Sequence, residues 1–317
     1  MPDRLRLNAL TVKPRKRLWK KPLEYDKQVR IDLHIHSTAS DGTLSPSEIL
    51  NLAEKLNLGA IAITDHDTVD GSKDAIQRGI PDSVKFLTGV EISASCPPSF
   101  DFPGSFHILG YSIALDDPAL NQALNILQHA RKDRNPRIIK RLNDMGMDIS
   151  LSEVAHESGD GQIGRPHIAR LLVKKGFAKS MEEVFDRYLG NGKPAYVDKY
   201  RMPCARAIEM ILNAGGLPVL AHPILLNIES DRLFEKLLGV LKEMGLKGLE
   251  VIYPEHSPER TAFYAKAADR YGLLLTGGTD FHGSLKPDIQ MGYGQGDLFI
   301  PYALYNKIIH TSPLHSK

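Results

Sequence analysis

Short apolar runs recur along the body of the chain, separated by stretches with helical periodicity. The runs are 29–36 (VRIDLHIH), 60–64 (AIAIT), 84–92 (VKFLTGVEI), 106–113 (FHILGYSI), 216–223 (GLPVLAHP), 247–253 (KGLEVIY) and 273–280 (LLLTGGTD). Each is short and rich in Val, Ile and Leu, as in strands covered on both faces. Such strands alternating with helices build a parallel sheet with crossover helices, and about seven units suit a barrel better than a short open sheet. A helix opens at Ser45-Pro46-Ser47-Glu48, where Ser45 can cap, Pro46 suits the first turn and Glu48 can close a capping box. It stops near Gly59, and further helical stretches cover 203–214, 229–244 and 257–271.

The texture changes between Asp117 and Tyr200. One long helix is expected over 117–144, kinked at Pro136, then shorter ones near 150–158, 166–175 and 180–189, with no buried strand. The partition expected is a basic extension over 1–28, a barrel over 29–116 and 201–300, a mostly helical insertion over 117–200, and a tail over 301–317. The formal net charge of +2 excludes little, but residues 1–30 hold ten Lys or Arg against three acids. That reads as a solvated basic extension, with no apolar segment of a secretory signal behind it. No apolar run approaches the roughly 20 residues of a membrane helix. Cys96 and Cys204 lie far apart, so a reducing cytoplasm is expected.

Six of the twelve histidines sit at the ends of the strand candidates. His34 and His36 close the first, His66 follows the second in Thr64-Asp65-His66-Asp67, and Glu91 ends the third. His107 opens the fourth, His222 ends the fifth, and Asp280 and His282 close the last; Asp41 lies in the loop after the first. A lone histidine at a strand end is usually a satisfied polar residue, and an isolated His-x-His says little. Here five strand ends carry such residues, and in a parallel α/β fold the carboxyl ends share one face. His34 and His36, two apart on a strand, point to the same side. Imidazole with carboxylate suits zinc, manganese or iron and argues against calcium. Nine candidate ligands exceed the needs of one or two four-coordinate ions, so a cluster of two or three divalent ions is expected.

The segments DLHIHSTASDGTLSPSEI, AIAITDHDTVDG, GVEIS, FHILGY, AHP and GGTDFHG, in this order over residues 30–285, resemble the polymerase-and-histidinol-phosphatase (PHP) superfamily. Within it, Gly164-Arg165-Pro166-His167-Ile168-Ala169 and Gly192-Lys193-Pro194-Ala195-Tyr196-Val197 resemble the branch of nucleoside 3′,5′-bisphosphate phosphatases and 5′-to-3′ exoribonucleases. The resemblance implies a distorted (β/α)₇ barrel, with the insertion as a substrate cap. It implies up to three ions held by His34, His36, Asp41, His66, Glu91, His107, His222, Asp280 and His282, with Glu91 bridging two. Asp65 and Asp67 then support or cap.

The implied reaction is hydrolysis of a phosphoester by a metal-activated hydroxide, with Asp41, His66, His222 and Arg165 acting at the reacting phosphate. The substrate expected is a small nucleotide or a short RNA end, with no membrane and no obligate protein partner. Arg165, Lys193 and His167 are candidates to anchor a second phosphate, although His167 can instead cap the helix after Pro166 and surface cations are commonly solvated. Arg134 and Arg137 are weaker candidates, because charges along a long helix usually face water. Two other readings stay open: a histidinol-phosphate phosphatase or other small phosphomonoesterase, and a non-enzymatic metal-stabilised scaffold.

Overall fold

A computed structural model describes residues 29–102, 104–158 and 162–315. The basic extension expected over 1–28 lies outside the described residues. The strands are β1 (Ile31–Ile35), β2 (Ala60–Ile63), β3 (Lys85–Ser95), β4 (His107–Tyr111), β5 (Met202–Pro203), β6 (Leu217–Leu220), β7 (Gly248–Ile252) and β8 (Leu274–Gly277). They pair in the order β1-β2-β3-β4-β6-β7-β8, with β5 adding to the end of β3. The ring closes just beyond β8. Ile35 bridges Phe281 in parallel, and the His36 N–H donates to the Phe281 carbonyl at 2.9 Å. Gly278 permits that closure, since a Cβ there would meet the Cβ of His34 at 2.1 Å. The architecture is the expected α/β barrel of seven main strands.

One strand departs from expectation. β4 runs antiparallel to both β3 and β6, whereas the alternation predicted another parallel strand. A parallel return needs a crossover of a dozen or more residues, usually helical. Only residues 96–106, with three prolines, separate β3 from β4, and they form no helix among the described residues. The chain can only double back. His107, the first residue of β4, therefore arrives at the same mouth as the carboxyl ends of its neighbours.

Register slips on β1 between Asp32 and Ile35, and on β7 between Glu250 and Ile252. The first lets Ile31 and Leu33 join the apolar interior with Ala62, Leu109, Tyr111 and Val219, while Ile35 packs outward with Ile49 and Ala53 of α1 (Pro46–Lys55). Bulges of this kind re-aim side chains near active sites. Ser45 caps α1 within the expected capping box.

The next helix, α2 (Asp70–Arg78), has too few apolar residues for a sequence signal and packs through Gly71, Ser72 and Ala75. Helices α7 (Cys204–Asn213), α8 (Asp231–Glu243) and α9 (Pro258–Arg270) make the later crossovers. The stretch expected as a tail contains α10 (Ala303–Thr311). Its Leu304 and Ile308 pack with Ile31, Leu33 and Ile300.

Between β4 and β5 lie α3 (Pro118–Asp144), α4 (Leu151–Ser158), α5 (Arg165–Lys174) and α6 (Met181–Val184), then a π turn at Phe185–Leu189. Helix α3 carries Pro136 without interruption. Its first half gives Leu120, Leu124 and Leu127 to the core around the barrel, and its second half gives Ile138, Ile139 and Leu142 to a separate core with Ile168, Leu172 and Val184. One helix thus belongs to two cores. Among the described residues no helix is long and apolar enough to cross a membrane.

Candidate metal centre and substrate cleft

The strand ends deliver their side chains around Glu91. Its Oε1 lies 2.9 Å from His107 Nδ1 and 2.9 Å from His222 Nε2. Its Oε2 lies 2.8 Å from His66 Nδ1, 3.3 Å from His36 Nε2 and 3.5 Å from His34 Nε2. Asp280 Oδ1 sits 3.0 Å from His36 Nε2, and Asp41 Oδ1 sits 3.4 Å from His282 Nε2. Three sets bring their donor atoms within 4.8 Å of one another: His36, Asp41, His66 and His282; His34, His36, Glu91 and Asp280; and His66, Glu91 and His107. His222 touches the third set through Glu91 and through His107, 3.2 Å away.

This donor set fits divalent cations on an observation of its own. His34 Nε2, His36 Nε2, His66 Nδ1, Asp41 Oδ1 and Glu91 Oε2 are buried without a hydrogen bond. Several pairs are close enough for one but are not aligned for it. A buried polar atom left unpaired costs about 1–3 kcal/mol, so five converging ones need a common partner. Burial works against charge on Glu91, yet His66, His107 and His34 around it hold its carboxyl well below the usual range. The backbone is also strained here: Asp67, His222 and Asp280 have φ of 57°, 22° and 53°.

Outer partners aim the donors. Glu250, buried in β7, accepts from His34 Nδ1 at 3.0 Å and from the His222 N–H at 2.6 Å. The first bond selects the tautomer that leaves His34 Nε2 free. The two strands that slip in register are thereby joined across the site. Asp65 accepts from the Ser37 N–H, the Ser37 hydroxyl and the Ser40 hydroxyl at 2.7, 2.7 and 2.5 Å, which fixes the loop carrying Asp41. Asp280 Oδ2 is taken by Lys286 at 2.6 Å and Tyr253 at 3.2 Å, so Oδ1 faces the imidazoles.

Neither Glu250 nor Lys286 is among the residues expected from the sequence. The signal for Glu250 was an acid inside the apolar run KGLEVIY; Lys286 lies in a loop and gave none. Lys286→Met is expected to weaken manganese binding about 10- to 100-fold with little change in fold. Calorimetric titration beside a melting curve checks this, and unchanged affinity refutes the role.

A cleft of about 790 Å³ opens from His107 toward the helical insertion. Arg165 reaches it, donating to the Leu189 carbonyl at 2.9 Å with its guanidinium over the rings of Phe185 and Tyr196. Arg134 also lines it, only 4% exposed. Arg134 bonds the side chain of Asn135 and has no carboxylate in ion-pair range among the described residues. Burial, then Arg131 and Arg165 beside it, push its pKa down to about 9.

The other anchoring candidates fall elsewhere. His167 is buried and accepts from the Gly164 N–H at 3.0 Å, capping α5 in a neighbouring pocket beside the Asp41 loop. Lys193 and Arg137 are exposed and do not line the cleft. Residues with no motif around them take their place: Lys199 and Arg201 line the cleft, and Arg131 stands behind it. Asp67 gathers two of these cations, accepting from Arg131 at 2.8 Å and Lys199 at 3.1 Å.

The sequence pattern of the PHP domain family matches residues 32–212. A 3′,5′-nucleoside bisphosphate phosphatase from Chromobacterium violaceum is 34% identical over 261 residues, covering 80% of this chain and 87% of that protein. The 5′-3′ exoribonuclease Rnm of Escherichia coli is 33% identical over 255 residues, covering 79% of this chain and 84% of the relative. Among solved structures, a Bifidobacterium adolescentis protein proposed to be a metal-dependent phosphoesterase superposes with a TM-score of 0.76 at 29% identity, over 89% of this chain and 96% of that one.

Proposed function

The chain belongs to the PHP domain family, and from that premise we propose that it is a metal-dependent phosphoesterase removing the 3′-phosphate of nucleoside 3′,5′-bisphosphates. Trimming of short RNA from the 5′ end is the related activity. One observation carries this reading: the cleft reaches the donor cluster at His107 and is lined by the buried Arg134, which has no acid partner among the described residues, and by the half-buried Arg165. A buried cation without a counter-ion is costly, and an anionic ligand relieves that cost.

His34, His36, Asp41, His66, Glu91, His107, His222, Asp280 and His282 would hold two or three manganese, iron or zinc ions, with Glu91 shared. When bound, such ions acidify water and neutralise phosphoryl oxygens. Asp41, His66 and His222 frame the reacting phosphate. Arg134 and Arg165 grip the second phosphate, for which a guanidinium fork is suited. Phe185 and Tyr196 offer ring faces to the nucleoside, and the insertion over 117–200 keeps water from the cleft as a cap. Cys96 and Cys204 are free thiols, which agrees with the cytoplasm as its compartment.

A steady-state comparison with added manganese tests the reading. Adenosine 3′,5′-bisphosphate should give the highest kcat/KM among bisphosphates, mononucleotides, histidinol phosphate and short 5′-phosphorylated RNA, with RNA next. Histidinol phosphate outperforming every nucleotide would overturn it. Metal-loaded protein inert on the whole panel would favour the scaffold.

A further inference from the structure

We propose that Lys199 is the acid that protonates the leaving oxygen of the phosphoester. The inference rests on the substrate reading above and concerns the same cleft. The Lys199 side chain is 9% exposed, and its Nζ lies 3.1 Å from Asp67 Oδ2. Asp67 directly follows His66, so the ammonium is tethered to the rim of the donor cluster. Lys199 lines the cleft together with His107, on the cluster side, and with Arg134 and Arg165, on the anchoring side. A substrate with one phosphate at each end carries its ester oxygen past this wall.

Most of the other groups that line the cleft are poorly placed to give up a proton. Guanidinium groups do not release protons near neutral pH. The Tyr196 hydroxyl donates to Asp198 and accepts from Arg201. The Cys96 thiol is given to the Phe100 carbonyl and the Ser93 hydroxyl to Asp67. The remaining serine hydroxyls are no more acidic than the alcohol to be released, and His107 and His222 belong to the donor cluster. Lys199 is the ammonium of the cleft. Asp67, from the loop before α2, and Arg131 and Arg134, from α3, are the charged groups that face it. Burial first and Arg131 second bring it down to about 7, against the pull of Asp67. An acid with that value is matched to neutral pH.

In the step, the bond between phosphorus and the 3′ oxygen breaks, and its electron pair goes to that oxygen. The oxygen takes a proton from Nζ. Water supplies the hydroxyl that ends on phosphorus, and the proton it loses restores the ammonium through solvent. Ester and water give alcohol and inorganic phosphate, with nothing oxidised or reduced.

Lys199→Met and Lys199→Arg in the full chain, loaded with manganese, decide the matter. Adenosine 3′,5′-bisphosphate has an alkoxide leaving group that needs a proton; p-nitrophenyl phosphate releases a phenolate that does not. Both variants should lose about 10²- to 10³-fold in kcat on the bisphosphate and far less on the aryl ester. Wild-type kcat on the bisphosphate should fall as pH rises through the Lys199 pKa, because the protonated form is active. That alkaline limb should vanish in both variants. Equal losses on the two esters, a change confined to KM, or full activity with arginine would overturn the assignment. If Lys199→Met does not fold, Lys199→Arg still decides, since it keeps the charge but releases no proton. If wild type prefers alkyl phosphates other than nucleotides, the substrate reading fails, and the same alkyl-against-aryl contrast still judges Lys199.

Discussion

Glu91→Gln is expected to lower kcat/KM on a nucleoside bisphosphate by about a thousandfold or more, with loss of bound metal. The magnitude follows from the several kcal/mol of charge stabilisation that a metal centre supplies, at 1.36 kcal/mol per factor of ten. The carboxylate stands at the middle of the cluster, with Oε1 serving His107 and His222 and Oε2 serving His66, His36 and His34. An amide has the same shape but offers one neutral oxygen and a donor where an anion is required. Metal content after dialysis and steady-state kinetics on the same preparation check it. Wild-type metal content with wild-type turnover would remove Glu91 from the centre of the account.

Arg134→Met should weaken substrate binding while stabilising the free protein. KM for adenosine 3′,5′-bisphosphate should rise about 30- to 160-fold, as expected for a charge-assisted hydrogen bond of about 2–3 kcal/mol. Hydrolysis of p-nitrophenyl phosphate, which has no second phosphate, should change little. The free protein should meanwhile melt at a higher temperature, because an uncompensated buried cation is replaced by an apolar chain of similar length. The loss of binding and gain of stability would mark a residue kept for its ligand at the expense of the fold. A lower melting temperature with unchanged KM would mean that Arg134 is structural.

Most of the candidate donor cluster was legible because its residues sit at strand ends, where a repeating pattern exposes them. The reversal of β4 was missed although its cause was visible: the proline-rich segment 96–106 is too short to carry a crossover helix. The burial of Arg134 runs against the expectation that the charges of α3 form a solvated face. Leu120, Leu124, Leu127, Ile138 and Leu142 form its buried stripe, and Arg131 and Arg134 occupy the stripe between Leu127 and Ile138. Arginines where leucines are due were the available signal. Lys199 had none, since its partner Asp67 meets it only through the folded insertion; Lys286 lies just six residues after Asp280, in a loop with no periodicity to mark it.

The helix that belongs to two cores also limits how this protein can change. Helix α3 spans 27 residues, about 40 Å at the usual rise. Its leucines are indexed to the barrel at one end, and its isoleucines to the insertion at the other. A single residue added between Leu127 and Arg131 would turn everything beyond it by about 100° and advance it about 1.5 Å. The arginines would leave the cleft, and the insertion would swing with them. Lineages that adapt this scaffold to longer or shorter substrates should therefore vary the loops around the mouth while conserving the length of α3. Gaps in that helix should be rarer across the family than gaps anywhere else in the insertion.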